Sequence, residues 1–432
     1  MLAGRRRWVH RWIMRRRSNY DQHWLRWWIV RGGALGVCVA VLIGGCALWV
    51  TPTLRDGRSD APERELLVLN NLSQTVSSVV LAEDGAFIDV DHDITQVGAV
   101  PGGLVAAGQE IVITLSGENR LIFLDRDRLV LSESDIVLSP NTNPMQTVSL
   151  GAGVFATTGL FSGRVHLSRR DGTALAVPGV AEETLRVGTA PQALIRLAGM
   201  PDTEPRIVAA ATGFDTSRPS ATPFGKSSVV LFSLERTGSL DPVITTVKRE
   251  ATWQDDRDGR NVTALLDVAA VDETVDEILL IGSGINMGAG GTGKDDGTIL
   301  VLHRDTLAVL QDIPVGGSPG GGVVVARNDG GLTLFLAGVE GITSLQRPPG
   351  AAMWDVDSSV PEYDASAGGG LPLLAGMAVW NGSLYVADFG NDRILRFEME
   401  ENPGWRLGAE PDESITVSDG PQSLAIITRG FP

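Results

Sequence analysis

The sequence from Gly376 to Phe397, GMAVWNGSLYVADFGNDRILRF, consists of short apolar runs separated by turn residues. The same character extends from residue 63 to the end of the chain, as in ELLVL at 65–69 and GTILVL at 297–302. Such runs are rich in β-branched side chains and are about five to eight residues long, which is typical of β-strands. The 52 glycines among 432 residues indicate frequent turns. The sequence therefore predicts an all-β fold.

A turn of the form Val-Gly-x-x-Pro recurs along this region and is followed each time by a small or apolar strand. It lies at 97–101, 187–191 and 315–319, with weaker cognates near Pro144, Asn261, Leu373 and Gly420. The seven starts are about 40 to 75 residues apart, so each unit has room for about four strands, as in a propeller blade. We predict one β-propeller of seven four-stranded blades, with six or eight blades as alternatives.

Two parts of the chain resemble known propeller repeats. Residues 376–397 closely resemble an NHL repeat. The Val-Gly-x-x-Pro units, together with LVLNNLSQTV at 67–76, are similar to the repeats of YncE-type seven-bladed propellers. The resemblance covers residues 63–432 and implies a closed ring of blades. It also implies that the loops between second and third strands open on the same face as the Val-Gly-x-x-Pro turns.

The two ends of this region predict how the ring closes. Residues 65–97 have the pattern of the second, third and fourth strands of a blade that lacks its first strand. Residues 421–427 have the pattern of a first strand with nothing after it. Pairing the two would complete one blade from both termini and leave no open edge in the ring. This pairing favours a single domain.

The charge is divided unevenly along the chain. Residues 1–32 hold nine arginines and one aspartate, whereas residues 33–432 hold 27 basic and 51 acidic residues, a balance of −24. A body this acidic repels polyphosphates, so no nucleic-acid partner is predicted. The negative charge of residues 33–432 is compatible with the binding of cations.

The N-terminal region has the composition of a membrane segment. Residues 32–54 contain no charged side chain and follow a segment, residues 1–31, that is rich in arginine and tryptophan. About 20 apolar residues cross a bilayer core, and preceding arginines keep the N-terminus inside. We predict that residues 55–62 are a linker. The propeller at 63–432 would then be membrane-anchored and face the periplasm or the cell exterior.

The sequence LIGGC at 42–46 resembles a lipobox, in which small residues before a cysteine allow cleavage by a signal peptidase and attachment of lipid. It predicts Cys46 as a lipidation site. An uncleaved signal anchor is the alternative, and it has the same topology. The first residue of the protein is either Met1 or Met14. Met14 is an alternative because the basic region that follows it, Arg15 to Arg17, is typical of an ordinary signal sequence.

Several motifs fall short of a catalytic or cofactor site. Residues 288–295, GAGGTGKD, nearly match a phosphate-binding loop, but Asp295 replaces the hydroxyl that magnesium requires, so no nucleotide is predicted. Residues 255–261, DDRDGRN, resemble a calcium loop, but the final glutamate position falls on Leu265, and a solvated turn is favoured. The histidines of the body are isolated in sequence. No metal, cofactor or catalytic residue is predicted.

Two long loops predict the binding surface. The connections between second and third strands are short in most repeats, but the fourth and fifth carry insertions, roughly residues 212–227 and 282–296. Long loops on a rigid scaffold are where binding residues usually lie. The candidate binding residues are their polar and charged members: Arg218, Lys226, Asn286, Lys294, Asp295 and Asp296.

Three classes of function fit a membrane-held propeller. A binding or scaffold module for an envelope protein or a glycan is favoured, since no active-site motif is present. The alternative is a lactonase-like hydrolase with a metal in the central channel. That hydrolase needs carboxylates on the innermost strands, which are nearly all Ala, Val, Leu and Gly, with Asp267 as the main exception. A quinoprotein or haem-linked oxidoreductase is disfavoured, because no Cys-x-x-Cys-His motif occurs.

Overall fold

The computed structural model describes residues 63–172, 182–215, 217–218, 224–237, 243–284, 297–316, 319–329, 331–338, 341–355, 362–365, 373–402 and 404–429. The predicted membrane segment, the linker and Cys46 lie outside these residues. Within the described ranges the fold is all-β, and its helical content consists of three short 3₁₀ turns at Ser116–Glu118, Glu182–Leu185 and Val268–Ala270. No helix in the described part of the chain is long and apolar enough to span a membrane.

The described residues form 28 strands. In chain order they are β1 (Glu63–Asn70), β2 (Thr75–Leu81), β3 (Phe87–Gln96), β4 (Pro101–Ala107), β5 (Glu110–Leu115), β6 (Arg120–Asp125), β7 (Ile136–Val137), β8 (Pro144–Gly151), β9 (Val154–Gly159), β10 (Arg164–Arg169), β11 (Pro191–Arg196), β12 (Arg206–Ala211), β13 (Lys226–Thr237), β14 (Val243–Asp258), β15 (Val262–Asp267), β16 (Glu277–Gly282), β17 (Thr298–His303), β18 (Val309–Pro314), β19 (Pro319–Asn328), β20 (Gly331–Gly338), β21 (Gly341–Arg347), β22 (Tyr363–Asp364), β23 (Leu374–Trp380), β24 (Ser383–Asp388), β25 (Arg393–Asn402), β26 (Gly404–Leu407), β27 (Glu413–Thr416) and β28 (Pro421–Arg429).

These strands form seven antiparallel sheets, which confirms the predicted seven-bladed propeller. From the centre outwards, blade 1 has the order β28-β1-β2-β3, and blade 2 has β4-β5-β6-β7. Blade 3 has β8-β9-β10, blade 4 β11-β12-β13-β14, blade 5 β15-β16-β17-β18, and blade 6 β19-β20-β21-β22. Blade 7 has β23-β24-β25, and β25 pairs with both β26 and β27. In blade 3 a bridge between Arg164 and Arg186 lies at the outer edge, where the other blades have their fourth strand.

Blade 1 closes the ring in the predicted way. Strand β1 pairs with β2 on one side and with β28 on the other, so that Leu66 lies opposite Ile426 and Val68 opposite Leu424. The innermost strands contact one another in the cyclic order β28, β4, β8, β11, β15, β19, β23 and back to β28. Both ends of the described chain therefore belong to the same blade.

The Val-Gly-x-x-Pro turns and their weaker cognates mark the starts of the innermost strands, as predicted. The residue before the strand has a left-handed backbone in four blades, at Val100 (φ 52°), Asn143 (φ 47°), Ala190 (φ 58°) and Asn261 (φ 46°). Asparagine tolerates this conformation because its short polar side chain bonds locally, whereas a β-branched residue is strained in it. Val100 is therefore the least suitable of the four.

Replacing Val100 by Asn is expected to stabilise the protein by about 0.5–1 kcal/mol, because it relieves backbone strain of order 1–3 kcal/mol at the cost of a half-buried side chain. The Val100 carbonyl, which accepts from the backbone N–H and the hydroxyl of Ser116, is unchanged by the substitution. Urea unfolding of the purified protein measures the effect. The matched change Asn143→Val should destabilise, and stabilisation by both would contradict the strain argument.

The hydrophobic core lies between the blades. Each pair of neighbouring sheets packs β-branched and leucine side chains into one buried cluster, as between blades 4 and 5, where Val208, Leu231 and Leu280 are buried. Near the axis the backbones approach closely: a Cβ on Gly376 of blade 7 would lie 2.6 Å from the Gln422 carbonyl oxygen of blade 1. Glycine is required there because no larger residue fits between the two innermost strands.

We call the face on which the innermost strands begin the top face, and the opposite one the bottom face. On the bottom face an arginine at or beside the end of a third strand reaches into the preceding blade. The bonds are Arg170 to Glu110 (Nε to Oε2, 2.9 Å), Arg236 Nη1 to the Gly151 carbonyl (2.9 Å), Arg304 to the Ala198 carbonyl, and Arg347 to Glu277. These arginines join blades 2 to 6 in succession.

Candidate functional site

The insertion of blade 4 joins β12 to β13 on the top face, where the sequence predicts it. Phe214 and Phe224 pair across its base, with ring centroids 5.4 Å apart. The Gly225 N–H donates to the Gly213 carbonyl at 2.8 Å. At the outer end, the hydroxyl and the backbone N–H of Ser217 donate to the Asp215 carboxylate, and they lower the pKa of Asp215. The insertion therefore has its own hydrogen bonds and a small aromatic core.

Two of the predicted binding residues belong to this insertion. Arg218 is half-buried, and its guanidinium folds back over the neck of the loop, where a Cβ on Gly225 would lie 2.6 Å from Nη1. Lys226 is exposed at the first position of β13 and lies opposite Asp258 of β14 in the sheet register. The structure thus brings Arg218 and Lys226 to the same end of blade 4.

The insertion of blade 5 begins next to this end of blade 4. Its first residues are fixed by two backbone bonds: Ser283 N–H to the Asn261 carbonyl (3.1 Å) and Gly284 N–H to the Arg260 carbonyl (3.2 Å). The neighbouring Gly259 N–H donates to the Gly225 carbonyl at the neck of the blade 4 insertion (3.2 Å). The short connection 259–261 therefore holds the bases of both insertions.

The other four predicted binding residues, Asn286, Lys294, Asp295 and Asp296, lie outside the described residues. The near match to a phosphate-binding loop at 288–295 lies outside them as well. What the structure does place is the first part of this insertion, next to the neck of its neighbour.

Below the two insertions a lateral cleft of about 260 Å³ opens between the outer strands of blades 4 and 5. One wall is the end of β14, and the other is formed by β17 and β18. The residues that line it are Trp253, Gln254, Asp255, Asp256, Arg257, Arg260, Leu300, Val309 and Asp312. The cleft combines one aromatic wall, an aliphatic floor and several planar polar groups.

An ion-pair network fixes the polar side of the cleft. Arg260, whose side chain is 5% exposed, pairs with Asp255 through Nε and with Asp312 through Nη2 (3.4 Å). Arg257, which is 60% exposed, donates from Nη2 to Asp312 at 2.9 Å. Hydrogen bonding to Asp312 raises the pKa of the Arg257 guanidinium further above neutrality, so this arginine stays charged. The network crosses from blade 4 to blade 5.

The calcium-like pattern at 255–261 has a different role in the structure. Strand β14 continues to Asp258, and the Asp255 carboxylate accepts from Arg260 and from the Arg257 backbone N–H (3.1 Å). The buried guanidinium of Arg260 balances the charge of Asp255 and would repel a cation placed beside it. In the ranges that the structure covers, no group of three or more His, Cys, Asp or Glu side chains is placed to hold a metal.

Asp267, the acidic residue that the sequence places on an innermost strand, also accepts hydrogen bonds from other parts of the protein. It ends β15 on the bottom face, where it is 5% exposed. Its Oδ2 accepts from Arg304 Nη2 (2.9 Å) and from the Ala198 N–H (2.7 Å). Asp267 therefore belongs to the arginine contacts that join blades 4 and 5.

The cleft was not predicted from the sequence. Its walls come from β14 and from β17 and β18, and Trp253 and Asp312 were not predicted as site residues because they lie on different blades, far apart in sequence. The signal available was a tryptophan beside a run of alternating charge at 253–258, WQDDRD. The overlapping residues 255–261 were predicted to form a solvated turn, but in the structure residues 255–258 belong to β14 and Asp255 is buried.

The strand order, the closed ring and the two top-face insertions define the class of the protein as a seven-bladed β-propeller. No protein-family model matches the chain, and no curated protein matches it. Among solved structures, a 6-phosphogluconolactonase-like protein from Bacteroides fragilis is similar with a TM-score of 0.55 and 14% identity, over 86% of this chain and 100% of that one. A second from Bacteroides uniformis gives 0.54 and 13%, over 84% and 99%. At these identities the similarity shows the fold alone.

Proposed function

We propose that the protein is a membrane-anchored, extracytoplasmic propeller of the NHL/YncE-like type that acts as a binding or scaffold module for an envelope protein or a glycan. The observation that carries the proposal is the connection 259–261, which holds the bases of both insertions on the top face. Two loops whose bases lie side by side on a rigid ring can both contribute to one binding site. The arginine-rich start and the apolar segment at 32–54 support the membrane location.

The charges on this surface support specific recognition. Arg218 and Lys226 lie on a body whose balance is −24, and the predicted Lys294, Asp295 and Asp296 would add both signs. Mixed charges at the rim of an interface favour the correct partner and orientation more than they add affinity. The proposed site would therefore select its partner by charge pattern and by loop shape.

The experiment is to replace residues 214–224 and 285–296 by short Gly-Ser turns in the full-length protein. Thermal melting should change little, because surface loops tolerate a change of length at small cost. Capture of partners from solubilised envelope should fall by at least about tenfold relative to wild type, a loss of ~1.4 kcal/mol. The matched control trims the same type of connection in blade 3, residues 160–163. Full capture by the doubly trimmed protein would contradict the proposal.

The second candidate is a lactonase-like hydrolase. The names of the two similar structures support this candidate. The described innermost strands give it little support, because their acidic residue, Asp267, pairs with Arg304. Metal analysis of the purified protein, together with assay of lactone hydrolysis, separates the two functions. A stoichiometric metal and turnover that depend on channel residues would establish the hydrolase.

A further inference from the structure

We propose that the lateral cleft between blades 4 and 5 binds a neutral sugar ring of a glycan. The inference rests on the proposed binding function and names its ligand class. It stands on three properties of the cleft: a fixed indole wall, polar groups whose charges are already balanced, and a size that suits one ring. None of the three depends on the loops above.

The indole wall is Trp253. The side chain packs against the buried cluster between blades 4 and 5, which includes Leu231 and Leu265, and it is half-buried with part of its surface lining the cleft. The face of an aromatic ring carries partial negative charge, so it attracts the weakly positive C–H bonds on the apolar side of a sugar ring. An indole fixed by core packing offers this contact with little loss of entropy on binding.

The charges of the cleft favour a neutral ligand. Asp255, Asp312, Arg257 and Arg260 pair with one another, so two carboxylates balance two guanidiniums. The remaining carboxylate, Asp256, is 93% exposed and therefore solvated. An incoming ion would have to compete with these pairs. The hydroxyl groups of a sugar, in contrast, can both donate to the carboxylates and accept from the guanidiniums.

The polar groups are also held in place before a ligand arrives. Arg260 is held by Asp255 and Thr298, and Arg257 by Asp312. Gln254, which has both donor and acceptor atoms, lies beside them on the lining. Planar groups in fixed positions recognise the directions of hydroxyl groups without a further cost of ordering side chains.

The size and position fit one unit of a chain. The volume of about 260 Å³ is below the 300–1,000 Å³ of pockets that enclose drug-sized ligands. The cleft is open to solvent, and Val309, which is 46% exposed, is one of the residues that line it. A single ring can therefore enter while the rest of the glycan continues along the outside of the propeller.

The experiment uses the full-length protein in lipid nanodiscs, without sugar-based detergent. The probes are the tetrasaccharides of glucose, N-acetylglucosamine and mannose, measured by calorimetry and by tryptophan fluorescence. Saturable binding of at least one tetrasaccharide is expected, with an affinity that changes little with added salt. Val309→Arg, which places a long side chain in the cleft, should lower this affinity at least about tenfold. The neighbouring Leu310→Arg is the matched control and should leave the affinity unchanged.

Two further variants test the roles of the walls. Trp253→Ala should abolish binding, and Trp253→Phe, which keeps an aromatic face, should retain part of it in a protein that melts normally. Asp256→Asn should have no effect on a neutral ligand. The inference is overturned if no tetrasaccharide binds, if Val309→Arg binds as wild type does, or if an arginine peptide binds instead and is lost with Asp256→Asn or with salt. Loss of partner capture in the loop-trimmed protein, together with no tetrasaccharide binding by the wild-type protein, would sustain the proposed function and reject the sugar site.

Discussion

Removal of residues 421–432 is expected to abolish the cooperative unfolding transition of the propeller. This deletion takes away β28, the innermost strand of blade 1, and leaves β1 without a partner on that side. Leu66, Leu67, Val68 and Leu69 of β1 are all fully buried. Burial of such a side chain contributes about 1.5–3 kcal/mol, so exposure of even part of this strand approaches the 5–15 kcal/mol that stabilise a whole domain.

The deletion also removes an ion pair of blade 1. Arg429 Nη1 donates to both carboxylate oxygens of Glu65, at 2.6 and 2.8 Å, and Glu65 is fully buried. Circular dichroism on heating should show a broad, shallow loss of signal in place of a sharp transition. A synthetic peptide of residues 419–432 added to the truncated protein should restore the sharp transition. A truncated protein that melts as sharply as wild type would contradict closure through β28.

Substitution of Arg347 by Met is expected to destabilise the protein by about 3–5 kcal/mol, because removal of one partner leaves the other charge buried. Arg347 of blade 6 pairs with Glu277 of blade 5, and the Glu277 side chain is 8% exposed. Among the described residues, the carboxylate of the variant would keep the Trp354 Nε1–H, at 3.1 Å, as its one hydrogen-bond donor. Urea unfolding measures the loss as a lower transition midpoint.

The double variant Glu277→Gln with Arg347→Met separates loss of the ion pair from loss of packing. Glutamine removes the buried charge and still presents an oxygen to Trp354. The double variant should therefore be more stable than Arg347→Met alone, since replacing both members of a buried pair costs less than removing one. If the double variant is as unstable as the single one, the contribution of Arg347 lies in its packing.

The fold was predictable because its signals are local. The turn before each innermost strand is readable in the sequence, and the strands do begin at Pro101, Pro191 and Pro319. Closure was predictable because the two incomplete patterns at the ends complement each other. The positions of the two insertions followed from the same repeat.

The contacts between blades were not predictable, because their partners are distant in sequence. Arg347 and Glu277 are 70 residues apart, and Arg304 reaches a carbonyl 106 residues away. The cleft was missed for the same reason, since Arg257 meets Asp312 across 55 residues. Residues 255–261 contain both members of the pair between Asp255 and Arg260, but a local interpretation could not identify Asp312, the partner on blade 5 that both arginines share.

The closed blade also sets the order of events during synthesis. Strand β1 is among the first parts of the propeller to be made, yet its partner β28 consists of nine residues at the end of the described chain. The contact between Glu65 and Arg429 spans 364 positions, and long-range pairing of this kind is slow to form. Until β28 has been translated, β1 presents an unpaired edge that can recruit other strands. A chain released before β28 is made would carry the strands of every other blade and would keep that edge of β1 permanently open.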